Sequence, residues 1–337
     1  MKILVTGGTG FIGSHTVVEL IEGGYEVVIV DNFSNSERNV LDKIKNITDV
    51  MPKFYEGNVC DEVILEKIFK ENKIDCVIHF AGFKAVGESV AKPLMYYENN
   101  LMSTLTLCNV MGKNGCKNIV FSSSATVYGD PHTLPIMEDF PTSTTNPYGS
   151  TKLMGEMILK DLFTSDKEWG IGLLRYFNPV GAHKSGLIGE NPKDIPNNLM
   201  PYIMKVAIKE LPCLSVFGND YNTTDGTGVR DYIHVVDLAK GHLKAVDKIC
   251  KAPGVYTYNL GTGHGYSVLD LVNTFKTIND VDIPYKITER RPGDIAACYA
   301  DPKKAHDELN WEAKLDINEM CKDAYNFVIN TLYSKQQ

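Results

Sequence analysis

The stretch Lys2-Ile3-Leu4-Val5-Thr6-Gly7-Gly8-Thr9-Gly10-Phe11-Ile12-Gly13-Ser14-His15 decides the fold. A short apolar run of strand character enters a glycine cluster, and helical spacing starts at Phe11 and continues to Glu22. The cluster reads G-x-G-x-x-G through Gly8, Gly10 and Gly13, and G-x-x-G-x-x-G through Gly7, Gly10 and Gly13. Glycines there permit a tight turn, backbone approach to a pyrophosphate, and close helix–strand contact. The helix N-terminus then faces the phosphates. A glycine triplet alone is weak, because any tight turn can produce one. Here a strand precedes it, a helix follows it, and Asp31 closes the next strand. A carboxylate at that place accepts hydrogen bonds from the adenosine ribose hydroxyls. It repels a 2′-phosphate, so the pattern points to NAD; Arg38, near in sequence, keeps the phosphorylated form in view.

Outward from this unit, apolar runs and helical stretches alternate. Strands are expected at 2–6, 26–31, 53–56, 75–80, 118–123 and 171–175, with helices at 11–22, 62–70, 94–113 and 148–161. Near-continuous Val, Ile and Leu in the strands implies a parallel sheet covered on both faces. The expected fold is therefore α/β, a doubly wound, Rossmann-like parallel sheet with a smaller C-terminal substrate-binding lobe. Prolines at 179, 192, 196, 201 and 212 loosen the pattern beyond about residue 177. Further helices are expected at 235–248, 268–278 and 317–332, and a strand at 256–260. The boundary falls at 1–177 for the dinucleotide-binding domain and 178–337 for the second lobe, with the chain crossing between lobes more than once.

Composition excludes several classes. The 337 residues are 43% hydrophobic and 23% charged, which supports a packed core rather than disorder. Lys+Arg 34 against Asp+Glu 42 gives a net charge of −8. That excess argues against nucleic acid or an anionic membrane as partner. No secretory leader is expected, and no apolar run reaches membrane-spanning length. The 8 cysteines form no C-x-x-C and are widely scattered. Reduced thiols and a cytoplasmic location are expected, with no structural metal.

Tyr148-Gly149-Ser150-Thr151-Lys152 puts a phenol and an ammonium one helical turn apart, Cβ atoms roughly 5–6 Å from each other. Such a pair is common by chance. It gains meaning behind a dinucleotide fingerprint, with Ser122-Ser123-Ser124 at the C-terminal end of a strand, where open α/β sheets bind ligands. A free tyrosine, pKa about 10, is a poor base at neutral pH. The expectation is that Lys152 and an oxidised nicotinamide both lower the Tyr148 pKa. Its phenolate could then take a proton from a sugar hydroxyl, directly or through Ser124. Hydride passes from that carbon to nicotinamide.

With the fingerprint, Asp31, Ser124, Tyr148 and Lys152 in place, the chain resembles the extended short-chain dehydrogenase/reductase family. The resembling segments run nearly end to end: 7–15, 31–36, 79–89, 122–130, 148–152, 175–183, 195–202, 217–237, 258–263 and 290–301. The resemblance is tightest to members that invert C4 of a UDP-hexose. It implies that Gly7, Gly10, Phe11, Ile12, Gly13, Asp31, Asn32, Phe33, Ser34, Asn35, Ser36, Asn58, Val59, Phe80, Ala81, Gly82, Phe83, Lys84, Asn99 and Phe177 line the NAD site, together with Ser124, Tyr148 and Lys152. Asn58 stands where the family often has aspartate. It implies that Ser124, Tyr148, Asn178, Asn198, Leu199, Ser215, Val216, Phe217, Arg230, Arg291, Asp294 and Cys298 hold a UDP-sugar. Two arginines suit a diphosphate. The implied reaction interconverts UDP-glucose and UDP-galactose through a 4-keto sugar that turns in the pocket, with NAD retained. A homodimer built through helices near 90–113 and 148–165 is implied too.

Cys298 departs from members restricted to unacetylated sugars, which resemble one another in carrying tyrosine there. A thiol opens space beside the hexose, so the acetylated pair UDP-GlcNAc and UDP-GalNAc is an expected second substrate. The alternative is a repacked pocket with no new activity. Two rivals differ in chemistry. A 4,6-dehydratase resembles this chain but carries acidic residues after the strand serine or threonine, where this chain reads Ser124-Ala125-Thr126. A non-catalytic NAD-binding module would commonly lack the tyrosine or lysine. His79, His234, Asp237, Trp169 and Trp311 are expected to serve packing and caps.

Overall fold

The structure is a computed structural model that describes residues 1–193, 196, 198–291 and 294–335. In chain order its strands are β1 Lys2–Thr6, β2 Glu26–Asp31, β3 Lys53–Glu56, β4 Cys76–His79, β5 Asn118–Ser124, β6 Gly170–Tyr176, β7 Asn178–Val180, β8 Leu214–Phe217, β9 Val229–Arg230, β10 Tyr232–His234, β11 Gly254–Leu260, β12 Tyr266–Ser267, β13 Tyr285–Thr288 and β14 Ala297–Cys298. Its helices are α1 Phe11–Glu22, α2 Val40–Thr48, α3 Glu62–Glu71, α4 Val86–Ala91, α5 Pro93–Lys113, α6 Pro147–Ser165, α7 Leu199–Ala207, α8 Val235–Lys251, α9 Val268–Asn279, α10 Lys303–Leu309 and α11 Ile317–Lys335.

Seven strands form one sheet in the order β11-β6-β5-β4-β1-β2-β3, every pairing parallel. Its central strands are buried on both faces because helices cover each side. One face packs Ile3, Val5, Ile29 and Leu174 against α1 and α8. The other packs Leu4, Val28, Val77, Ile119 and Leu173 against α3, α5 and α6. This is the doubly wound, Rossmann-like α/β fold. The order reverses between β1 and β4, and a crevice opens at the carboxyl ends of those strands.

Local chemistry sets the helix starts. Asp61 caps α3 through Val63 N, and Asn146 caps α6 through Gly149 N, with Pro147 at the first helical position. Ser267 and Asp270 form a reciprocal capping box on α9. Past residue 177 the chain builds small sheets, β10-β7, β12-β9-β14 and β13-β8, beside a third core of Met200, Ile203, Leu214, Leu271, Phe275 and Met320. It also returns to the large sheet, since α8 packs on it and β11 is its edge strand.

Two differences from the sequence reading have physical causes. Helix α7 contains Pro201, which reads as punctuation. In the first turn a missing N–H costs nothing, because that group has no intrahelical partner. Helix α2 buries only Leu41 and Ile44, too narrow a stripe to stand out in sequence.

Candidate active site

The turn after β1 is dictated by space. Gly7 has φ +69, and a Cβ there would meet Ala81 N at 3.0 Å on the loop after β4. A Cβ on Gly13 would lie 2.2 Å from Gly7 O, so α1 could not approach the strand. Gly10 caps α1 with no side-chain bond, leaving its first backbone N–H groups toward the crevice. Asp31, nearly buried, takes Thr9 N on Oδ2 at 3.1 Å, and Phe33 N at 2.9 Å and Ser36 Oγ at 3.4 Å on Oδ1. Arg38 is committed elsewhere. It ion-pairs with Glu56 and lies over the Phe33 and Phe54 rings, which stack at 5.1 Å.

A cleft of about 790 Å³ runs over this turn, and its lining includes both Asp31 and the Tyr148–Lys152 pair. Of the residues expected around a dinucleotide, all line it except Phe33, Ser124 and Phe177. Phe177 is buried with Val127, Tyr128, Ile136 and Ala300. Lys43, Ser122, Tyr176 and Glu190 also line the cleft and were not singled out from sequence. Ser122 lay within a serine run already visible; Glu190 sits in an irregular stretch that gives no signal.

Tyr148 and Lys152 occupy the first turns of α6. Tyr148 N donates to Ser89 Oγ at 3.1 Å, which ties the turn to α4. Lys152 is buried, with Nζ 3.2 Å from Ser122 Oγ, 5.2 Å from the Phe121 ring centre and 5.9 Å from the Tyr148 ring centre. Ser124 ends β5; its Oγ accepts from Thr126 N at 3.2 Å and its hydroxyl bonds the Tyr148 phenol. Desolvation pushes the Lys152 ammonium down to about 8.

The share of the Tyr148 pKa lowering expected from Lys152 is corrected here. Burial raises the Tyr148 pKa above its ordinary value, and only the Ser124 bond works downward. Lys152 does not make this phenol acidic by itself, because its ammonium is desolvated and turned to Ser122.

Behind the pair, Glu156 on α6 accepts Ser123 Oγ at 2.6 Å and is gripped by Arg175 of β6. His79 is a packed residue: its ring bonds Thr6 and Thr104, and burial lowers its pKa to about 3. His234 caps α8, and Asp237 accepts Lys314 N and Leu315 N.

The residues expected around a UDP-sugar lie outside this cleft's lining, apart from Tyr148. Cys298 pairs in register with Arg230 across β14 and β9. Arg230 Nη1 donates to Val229 O at 2.8 Å. Arg291 Nε is 2.9 Å from Asp294 Oδ2, and its guanidinium sits 5.0 Å from the Phe217 ring centre. Ser215 and Val216 lie with Phe217 on β8, paired to β13. Asn178 N donates to Asp231 O at 2.9 Å; Asn198 Nδ2 donates to Glu190 Oε1 at 2.7 Å just before Leu199 opens α7. Tyr221, unremarked in sequence, has a buried hydroxyl without a partner among the described residues. Of the resembling segments, Ile195, Asn197, Pro292 and Gly293 lie outside the described residues.

A family model described as GDP-mannose 4,6 dehydratase matches residues 4–324. UDP-glucose 4-epimerase of Bacillus subtilis (strain 168) is 60% identical over 327 residues, 97% of this chain and 96% of that protein. UDP-glucose 4-epimerase of Dictyostelium discoideum is 59% identical over 327 residues, 97% of this chain and 95% of that one. The crystal structure of UDP-glucose 4-epimerase from Bifidobacterium longum in complex with NAD+ and UDP superposes with a TM-score of 0.96 at 57% identity, over 98% of this chain and 99% of that chain. Sequence, fold and the placement of tyrosine, lysine and glycine turn converge: the chain belongs to the UDP-glucose 4-epimerase family.

Proposed function

We propose that this chain interconverts UDP-glucose and UDP-galactose with NAD held in the cleft. The carrying observation is that the Asp31 carboxylate and the Tyr148–Lys152 pair share one cleft. The residues fit the cofactor. Gly7 and Gly13 leave no room for a Cβ, which lets α1 start tight against β1, Gly10 caps α1 with no side-chain bond, and Asp31 offers acceptors to ribose hydroxyls. NAD, when bound, accepts the C4 hydride and returns it to the opposite face of the sugar, and in its oxidised form brings a positive charge.

The chain's own groups handle protons and position. Tyr148 takes the C4 hydroxyl proton and later returns it. Its resting phenol is held protonated by burial, so it becomes a base only when positive charge is brought beside it. Ser124 steadies the phenolate by donating to it. Arg230 and Arg291 hold the diphosphate while the 4-keto sugar turns. Arg291 is ion-paired with Asp294.

Cys298 supports an acetylated substrate pair as well. It is a small side chain, its thiol pushed up to about 11 mainly by burial, so it serves as space rather than as a nucleophile. The small sheets and α7, α9 and α11 form the lobe that receives the UDP-sugar. Val86, Val90, Leu94, Met102, Leu105, Met154 and Met157 are exposed on α4, α5 and α6 and support a homodimer through that face. No helix among the described residues is long and apolar enough to cross a membrane. All eight cysteines are free, which supports a cytoplasmic site of action.

Proton NMR of UDP-galactose incubated with the purified protein, with no NAD added, tests the reading. UDP-glucose should accumulate to equilibrium. No conversion with or without added NAD overturns it, and a 6-deoxy keto sugar would assign a dehydratase instead.

A further inference from the structure

The segment 187–193 crosses the cleft that the proposed function assigns to NAD. Leu187, Gly189, Glu190 and Pro192 line it together with Phe11 and Asn35. The segment is fastened on both walls. At the Asp31 end, Lys193 N donates to Asn35 Oδ1 at 3.1 Å, and Lys193 Nζ donates to Phe33 O at 2.6 Å. These partners sit on the loop after β2 whose own amides and hydroxyls hold Asp31. At the other wall, Glu190 Oε1 accepts Lys84 Nζ at 3.0 Å from the loop after β4, and Asn198 Nδ2 at 2.7 Å.

Glu190 is unusual for a clasp on a surface loop. Its side chain is only 7% exposed, and Oε2 is buried without a hydrogen-bond partner among the described residues. A carboxylate oxygen is costly to bury bare. Glu190 lines the cleft, so the bare oxygen is free to accept from a donor on a ligand there.

We infer that Glu190 and Lys193 are cofactor-positioning residues, the two latches of a strap that closes segment 187–193 over the bound dinucleotide and keeps it there through turnover. The inference rests on the reading of the cleft as an NAD site. It explains retention without a covalent bond: the dinucleotide leaves only when contacts on both walls break together. One ion pair at a partly exposed lysine would hold little by itself. Two fastenings joined by a short segment act together, since losing one leaves the other at high effective concentration.

The test is exchange of bound cofactor for isotopically labelled NAD, followed by mass spectrometry of the intact holoenzyme. Lys193→Ala and Glu190→Gln should each exchange about tenfold faster than the parent, and the double variant faster again. Lys193→Arg, which keeps a donor for Phe33 O, should stay near the parental rate. In saturating NAD the thermal midpoints of variants and parent should coincide. A double variant that exchanges at the parental rate overturns the inference. So does a lowered midpoint with unchanged exchange, which would assign the strap to the fold alone. A parent protein that carries no dinucleotide and converts no UDP-hexose would instead remove the functional reading beneath it.

Discussion

Glu156 and Arg175 meet as a two-point ion pair inside the protein, Oε1 to Nε at 2.8 Å and Oε2 to Nη2 at 2.7 Å, with side-chain exposures of 0% and 3%. Arg175 also donates to the Tyr128 hydroxyl and to Glu138 O, and Ser123 donates to Glu156. The pair thus bolts α6 to β6 one helical turn beyond Lys152.

Removing one partner leaves the other charged and buried. Glu156→Ala should cost about 3–5 kcal/mol in denaturant unfolding. Glu156→Leu combined with Arg175→Leu should recover much of that loss. Burial alone would raise the Glu156 pKa, but Arg175 outweighs it and holds the carboxyl below its usual range. A depressed carboxyl stabilises above its ordinary pKa, and this stability drains away as pH falls through the folded value. A single variant losing under about 1 kcal/mol would show that the bolt does not matter.

Tyr148→Phe keeps the ring and deletes the proton carrier. Turnover of UDP-galactose should fall by about 10²–10⁴. Dinucleotide content after gel filtration should match the parent, because the glycine turn and Asp31 are untouched. Because burial keeps the free phenol protonated, adding NAD to cofactor-stripped protein should move its ultraviolet titration to lower pH. A variant retaining more than a tenth of parental turnover would assign the base elsewhere.

Lys152 is an ammonium held where water is scarce, its pKa lowered from 10.5 to about 8 by burial. For a base, a lowered folded pKa means that the unfolded chain binds the proton more tightly. The fold therefore carries a penalty below about 8 that fades as pH rises towards 10.5. Lys152→Met should stabilise the cofactor-free protein by up to about 3 kcal/mol at pH 7. The gain should shrink to nothing near the ordinary lysine pKa, and turnover should be lost. Equal stability of variant and parent at pH 7, by urea midpoint, would contradict the penalty.

Much of this site could be read in sequence for one reason: its chemistry is local. The turn after β1, Asp31 closing β2, and Tyr148 with Lys152 on one helix are each set by neighbours within a few residues. What could not be read is non-local. Strands β8 and β13 are short and find each other across some 70 residues, so neither shows a pattern alone. Glu190 acquires its role only when Lys84, far away in sequence, reaches it. The burial that raises the Tyr148 pKa is not legible either, because spacing gives the distance to Lys152, whereas desolvation of both groups depends on everything packed around them.

Cys298 offers the sharpest test of specificity. Its neighbours Phe177, Tyr128 and Ile136 are fixed in a buried cluster, so on the proposed reading side-chain size at 298 sets the space beside the hexose. Cys298→Tyr fills that space with a ring. Conversion of UDP-GlcNAc should fall by about 10–200-fold, the discrimination a pocket of this kind provides. Conversion of UDP-glucose should stay within about threefold, because the diphosphate anchors and the Tyr148 phenol are unchanged. Parallel assays of both sugar pairs on parent and variant read the outcome. If the parent turns over no acetylated sugar, the thiol marks only a repacked wall; if both pairs fall equally, the new ring has disturbed Arg230 on the adjoining strand rather than the acetyl pocket.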